Sequence, residues 1–293
     1  MLALRLARAA TGRDLVAKLH DHFHGWYDAV SADRDASSRH FSPDGVPEAV
    51  LAQTRVIDPA DPEGLDSALG DGQVAALILE ASGGHYGRHP LPDGYVAAAR
   101  RVCDRTGTLL VIDEVVTGFR VHPGGMQALL GVRPDLSTFG KVMAGGLPGG
   151  AVGGRADLLD LLAVGSDGRA AVPHPGTYNG NPLSAAAGCT MLALVADGAA
   201  QEQAATTAME LERRIAARLA ATGVGGRVWR LSSMVHVRLD DAAAEGRLDG
   251  LLRAGGVDFF HSSAFVSTAH TEADLEVTED AFDSALRVAV AGG

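Results

Sequence analysis

Two apolar runs, each closing on an acid, limit what this chain can fold into. Val74-Ala-Ala-Leu-Ile-Leu-Glu80 and Thr108-Leu-Leu-Val-Ile-Asp113 show no alternation of polar and apolar residues. Both faces of each run must therefore be buried, as in a parallel strand covered by helices. Gly83-Gly84 breaks the first run, and Pro92 to Arg105 reads as an amphipathic helix with proline near its start. A buried strand, a crossover helix and a second buried strand make the repeating unit of an α/β fold. In such sheets reactive groups gather at the carboxyl ends of strands. Glu80 and Asp113 sit at such ends, and a third short strand, Asp135–Phe139, runs into Gly140-Lys141.

The remaining pattern fits that frame. Residues 2–10 read as a helix stopped at Thr11-Gly12, Leu15–Leu19 as a strand, and residues 28–50 as a loop. Asn181 to Val195 and Gln201 to Ala221 read as helices. From Arg227 to Ala291 the expected order is strand, strand, helix, strand, strand, helix, a compact α+β unit. The Gly145–Gly150 segment reads as a turn after Lys141, since it lacks the strand–loop–helix setting of a dinucleotide fingerprint.

Composition removes several classes. The chain has 293 residues, 46% hydrophobic and 21% charged, which is ordinary for a globular protein and excludes disorder, collagen and disulfide scaffolds. Two cysteines, Cys103 and Cys189, suit a reducing, cytoplasmic compartment. A net charge of −11 offers no general attraction to nucleic acid or to an anionic membrane. No run approaches the ~18 apolar residues of a membrane span, and Arg5 and Arg8 interrupt any secretory core, so the N-terminus reads as a helix. The basic residues comprise 23 arginines and only two lysines, Lys18 and Lys141. A retained lysine points to chemistry that arginine cannot supply, because its amine can lose a proton and attack a carbonyl.

The strongest chemical signal is Leu109-Leu-Val-Ile-Asp-Glu-Val-Val-Thr-Gly-Phe-Arg120, with Lys141 following Asp113 by 28 positions. A Walker B strand would look similar, but it requires Gly-x4-Gly-Lys-Ser/Thr, and Val142 follows the only Gly-Lys. One buried acid and one amine suit pyridoxal phosphate, which bonds to a lysine and needs an acid to keep its ring nitrogen protonated. His20, His22 and His24 alternate and on a strand would share a face, but no carboxylate or fourth ligand is evident nearby, so no metal is expected.

Motifs along nearly the whole chain resemble the class III pyridoxal-phosphate-dependent aminotransferase family, which includes the glutamate-1-semialdehyde aminomutases. They are Ala3–Arg13, Phe23-His-Gly-Trp26, Leu77-Ile-Leu-Glu80, the Asp113 strand, the Lys141 loop, His174-Pro-Gly-Thr-Tyr-Asn-Gly-Asn-Pro-Leu183 and Ser267–Glu272. The resemblance implies a fold type I architecture: a large cofactor-binding α/β domain with a mainly parallel sheet over residues 1–198, and a small α+β domain over 199–293. It implies that Lys141 is the Schiff-base lysine and that Asp113 partners the pyridine nitrogen. Val115 and Phe23, within Phe23-His24-Gly25, would pack on the two faces of the ring. Glu80 would lie near the ring substituents, although Ala81 stands where the family often has proline. Thr177 would reach the cofactor phosphate of a second subunit, so a homodimer acting on a small amino donor and acceptor is expected.

The family's phosphate loop normally precedes the helix that starts here at Met1-Leu-Ala-Leu-Arg5, so the resemblance also implies a chain beginning well inside the family's usual length. On that reading cofactor binding would be weak. Aminotransferase, aminomutase and amino-acid racemase share this machinery, and a catalytically weak homologue serving as an interaction subunit is the alternative of a different class.

Overall fold

The computed structural model describes residues 1–33, 44–61, 63–166 and 168–291, so the centre of the expected 28–50 loop, residues 34–43, lies outside the described residues. The chain divides into two units, Met1–Ala193 and Leu194–Gly293.

The first unit opens with α1 (Leu2–Thr11), which buries Ala3, Leu4, Leu6 and Ala7 and stops where Gly12 turns left-handed. Then follow β1 (Leu15–Leu19), α2 (Glu48–Leu51), β2 (Thr54–Ile57), α3 (Gly64–Leu69) and β3 (Val74–Leu79). Next come α4 (Gly84–Gly87), α5 (Tyr95–Thr106), β4 (Leu109–Asp113), α6 (Gly125–Leu130), β5 (Leu136–Phe139), β6 (Ala151–Gly154), α7 (Ala156–Leu159) and α8 (Pro182–Val195). The strands form one sheet in the order β2-β1-β3-β4-β5-β6. The first five are parallel, and β6 runs antiparallel to β5.

Both apolar runs are buried on both faces, as their lack of alternation requires. Leu77, Leu79, Leu110 and Ile112 pack with α3 and α5 on one side. Ala76, Ile78, Leu109 and Val111 pack with α1 and α7 on the other. Each fully buried large apolar side chain contributes about 1.5–3 kcal/mol relative to exposure. The helix expected from Pro92 begins only at Tyr95, because Gly94 adopts a left-handed conformation. Neither edge strand is anticipated by the sequence pattern. β2 is only half-buried, and β6 is Ala-Val-Gly-Gly. At Gly154 a Cβ would come within 2.2 Å of the Asp135 carbonyl, so the close pairing of β6 demands glycine where strand propensity argues against a strand.

The second unit contains α9 (Ala199–Thr222), β7 (Gly226–Leu231), β8 (Met234–Leu239), α10 (Ala242–Ala254), β9 (Ser263–Phe265) and α11 (Glu272–Ala291). β7-β8-β9 form an antiparallel sheet. Its core joins Ala208, Leu211 and Ile215 of α9 to Leu248, Leu252, Phe282 and Leu286, with Phe259 edge-on to Phe282 at 5.2 Å. Among the described residues this unit has three strands, not the expected four. The chain before β9 closes on itself: Phe260 and Ser263 exchange both backbone hydrogen bonds, and His261 and Ser262 take left-handed φ angles of 50° and 54°. A curled segment cannot lie along a sheet edge as a further strand.

Candidate active site

Three adjacent strands deliver the candidate residues to one edge of the first sheet. Glu80 follows β3, Asp113 ends β4, and Lys141 follows β5 after the extended Gly140. This is the consequence of parallel strands: successive carboxyl ends fall side by side.

Asp113 is nearly buried. Its Oδ2 lies 2.9 Å from His24 Nδ1, and its Oδ1 accepts a hydrogen bond from the Val115 N–H at 3.0 Å. Burial alone would raise its pKa, but His24 and the Val115 N–H outweigh this and hold the carboxyl below its usual range. It is therefore a fixed anion at neutral pH. The Nε2 of His24 is buried with no hydrogen-bond partner among the described residues.

The two lysines have opposite environments. Lys18 is sealed in the core, donates to the Ala32 carbonyl at 3.1 Å and lies 3.5 Å from Asp33. Lys141 is accessible. The protein around its amine still lowers its pKa, with Arg120 adding to the effect while Asp113 and Glu80 oppose it. Lys141 also has a φ of 48°, in the left-handed region that a side chain other than glycine's rarely occupies. Such strain costs about 1–3 kcal/mol and persists where the surroundings impose it, commonly at functional sites.

Phe23, His24 and Gly25 lie on the turn after β1. Gly25 has a φ of 90° with open space where a Cβ would stand, so its conformation, not crowding, calls for glycine. Phe23 is 48% exposed and the His24 side chain is buried. Glu80 is buried, and both its carboxylate oxygens are in use: Oε1 accepts from Phe23 N at 2.9 Å and Oε2 from Tyr86 N at 2.8 Å. Burial raises its pKa, although both N–H donors, with His24, act in the opposite direction. The Glu80 N–H in turn donates to His22 Nδ1 at 2.9 Å. Val115 packs against Gly140, its Cγ1 3.4 Å from where a Cβ would stand, so it lies beside the residue that precedes Lys141. Thr177 is exposed, and no hydrogen bond among the described residues ties it to this network.

The neighbouring acid Glu114 is fully buried and serves α6. It accepts from Met126 N at 3.1 Å, Gln127 N at 2.9 Å and the Thr117 hydroxyl. Of the Asp-Glu pair, only Asp113 faces the site.

The three alternating histidines do not share a strand face. β1 ends at Leu19, and Asp21, with a φ of 64°, turns the chain. His20 then pairs with Asp33, His22 with the Glu80 N–H and His24 with Asp113. Sequence reasoning found His24 only through its Phe-His-Gly motif, and missed its partner. It also missed Asp21, which lies 3.4 Å from both His85 and His89. Pairing with His85, helped by His89 and opposed by burial, pulls the Asp21 pKa down to about 2. That contribution to stability is full above about pH 4 and is lost as pH falls toward 2. Spacing alone carries no signal for these contacts, because the partners come from the turn after a different strand.

Known proteins resemble this chain. The family model described as aminotransferase class-III matches residues 1–273. A glutamate-1-semialdehyde 2,1-aminomutase from Methanocorpusculum labreanum is 45% identical over 64% of this chain and 46% of its own length. One from Anaeromyxobacter sp. is 36% identical over 97% of this chain and 70% of its own. Among solved structures, a transaminase with PLP bound superposes with a TM-score of 0.90 at 32% identity, covering 100% of this chain and 72% of that one. The chain thus spans from under half to about 70% of the relatives' lengths in these matches.

Proposed function

The chain belongs to the class III aminotransferases, a family of pyridoxal-phosphate-dependent enzymes, and on that premise we propose that it transfers or relocates an amino group on an amino-acid or amino-aldehyde/keto substrate through Lys141. The observation that carries this reading is the placement of Asp113 and Lys141 at the carboxyl ends of neighbouring strands. One is a fixed anion, and the other is an accessible amine with a depressed pKa.

The residues fit the cofactor. Asp113, a carboxylate held below its usual pKa range, can hold a proton on a ring nitrogen. His24 keeps that carboxylate in place. Phe23, half exposed, and Val115, beside Gly140, are suited to opposite faces of a flat ring. When bound, pyridoxal phosphate supplies an electron-poor ring that delocalises the charge left by a departing proton. Lys141 Nζ is the base that takes that proton and the acid that returns it, and the lowering of its pKa favours the uncharged amine that the first role needs. Glu80, by contrast, has both oxygens committed to backbone N–H groups.

Reduction with borohydride in the presence of pyridoxal phosphate should attach a pyridoxyl group to the peptide bearing Lys141. A label on Lys18 alone, or no label, would overturn this reading.

We further assign residues 1–198 to the cofactor-binding domain and 199–293 to the small domain, and place the protein in the cytoplasm, where its two free cysteines would remain reduced. Its partners are small molecules and a second copy of itself. Pro182–Val195, α8, contains no charged residue, yet Leu183 is 69% and Leu194 67% exposed. An apolar surface of this kind marks an interface. A symmetric dimer would cover it and could bring Thr177 of each subunit to the other's site. The expected result is a dimer in sedimentation velocity that Leu183→Asp converts to monomer; a monomeric unmodified chain would count against it.

A further inference from the structure

We propose that Glu80 is a positioning residue: its carboxylate fixes Phe23 and His24, and through His24 the orientation of Asp113, instead of meeting a ligand itself. This rests on the functional reading above only for the roles of Phe23 and Asp113.

The argument comes from two segments that Glu80 joins. One is the turn after β1, residues 20–25. The other is the turn after β3, residues 83–90. Glu80 Oε1 takes the Phe23 N–H at 2.9 Å and Oε2 the Tyr86 N–H at 2.8 Å, while its own N–H binds the His22 ring at 2.9 Å. Side chain and main chain therefore grip the first turn at two consecutive residues. The residue is 7% exposed, so little of the carboxylate remains for a ligand.

Both turns need such a grip. Asp21 in the first, and His85 and Tyr86 in the second, have φ angles of 64°, 49° and 55°. Chains with side chains leave that region unless held. The two turns also press directly together: a Cβ on Gly84 would come within 2.6 Å of the Asp21 carbonyl, and Asp21 lies 3.4 Å from His85 and from His89. These contacts supply the packing, and the Glu80 carboxylate reaches the N–H of Phe23. From there the linkage runs one residue to His24 and 2.9 Å on to Asp113.

A carboxylate accepting two buried N–H groups cannot be replaced by an amide without loss, because one amide end only donates. Glu80→Gln should therefore release one of the two turns and loosen the other. Hydrogen–deuterium exchange of the full chain, without added cofactor, should accelerate about tenfold in peptides covering both turns, the scale of losing a charge-assisted hydrogen bond. Peptides covering β4 should not change. Glu80→Asp, which keeps the charge but is one carbon shorter, should give the same two-turn pattern and serves if the glutamine variant is unstable. In the second arm, pyridoxal phosphate is titrated into the wild-type chain, Glu80→Gln, Phe23→Leu and the double variant. If Glu80 acts partly through Phe23, the loss in the double variant should be smaller than the sum of the two single losses. Unchanged exchange over residues 20–27, or losses of affinity that simply add, would overturn the proposal. A wild-type chain that binds no pyridoxal phosphate would overturn the functional reading, and the exchange arm would still decide the role of Glu80.

Discussion

Lys141→Arg is expected to leave a folded protein that has lost its turnover. Arginine preserves the positive charge, but its guanidinium does not deprotonate in proteins, so it can neither bond to an aldehyde carbon nor shuttle a proton. Loss of proton transfer by itself removes about 10²–10⁴-fold in rate, and loss of the covalent anchor adds to it. The thermal midpoint should change little, because Lys141 is accessible and makes none of the contacts that hold the core. Lys141→Ala should be equally inactive, with part of the proton transfer restored by a small added amine such as methylamine. The measurement is turnover of a panel of amino donors with an α-keto acceptor, alongside a melting curve. An active Lys141→Arg protein would refute the assignment. The other lysine offers no substitute, since Lys18 is wholly buried beside Asp33.

The second large effect belongs to Asp113. Asp113→Asn keeps the size and removes the charge. Removing one member of a buried charge pair costs about 3–5 kcal/mol. If that cost falls on the transition state, the rate drops by roughly 10²–10⁴-fold. Two observables should move together. Exchange of the substrate α-proton should fall by that factor, and the His24 ring resonances should shift in the protein without substrate, because Nδ1 loses its anionic partner at 2.9 Å. A variant within tenfold of wild-type exchange would disprove the pairing. An unshifted His24 resonance would show that the His24–Asp113 contact does not exist in solution.

Both predictions concern residues that can be found without coordinates, and the reason is local. A run such as Leu109-Leu-Val-Ile-Asp113 has one way to bury both faces, so its strand character, its parallel neighbours and the acid at its carboxyl end follow together. Lys141 stands out because the chain otherwise uses arginine, and the glycine before it marks the end of β5. The edge strands are different. β2 and β6 pair through backbone hydrogen bonds that impose no alternation of side chains, and β6 needs glycine at Gly154, so Ala-Val-Gly-Gly leaves no strand pattern to read. In the second unit the segment before β9 looks extended in sequence, but its own backbone bonds and two left-handed residues curl it.

The sequence by itself determined the mainly parallel sheet and the three residues at the carboxyl ends of its strands, because burial on two faces is encoded over five or six consecutive residues, while the order of the strands came from the structure. Only the tertiary structure decided what those residues touch. Asp113 bonds a histidine 89 positions away, and Glu80 bonds amides on two separate turns, 57 and 6 positions away. The histidines that alternate as if on one strand take three different partners because the strand stops at Leu19. Hydrogen bonds across such separations depend on how turns meet after the sheet has formed, and no periodicity along the chain records that meeting.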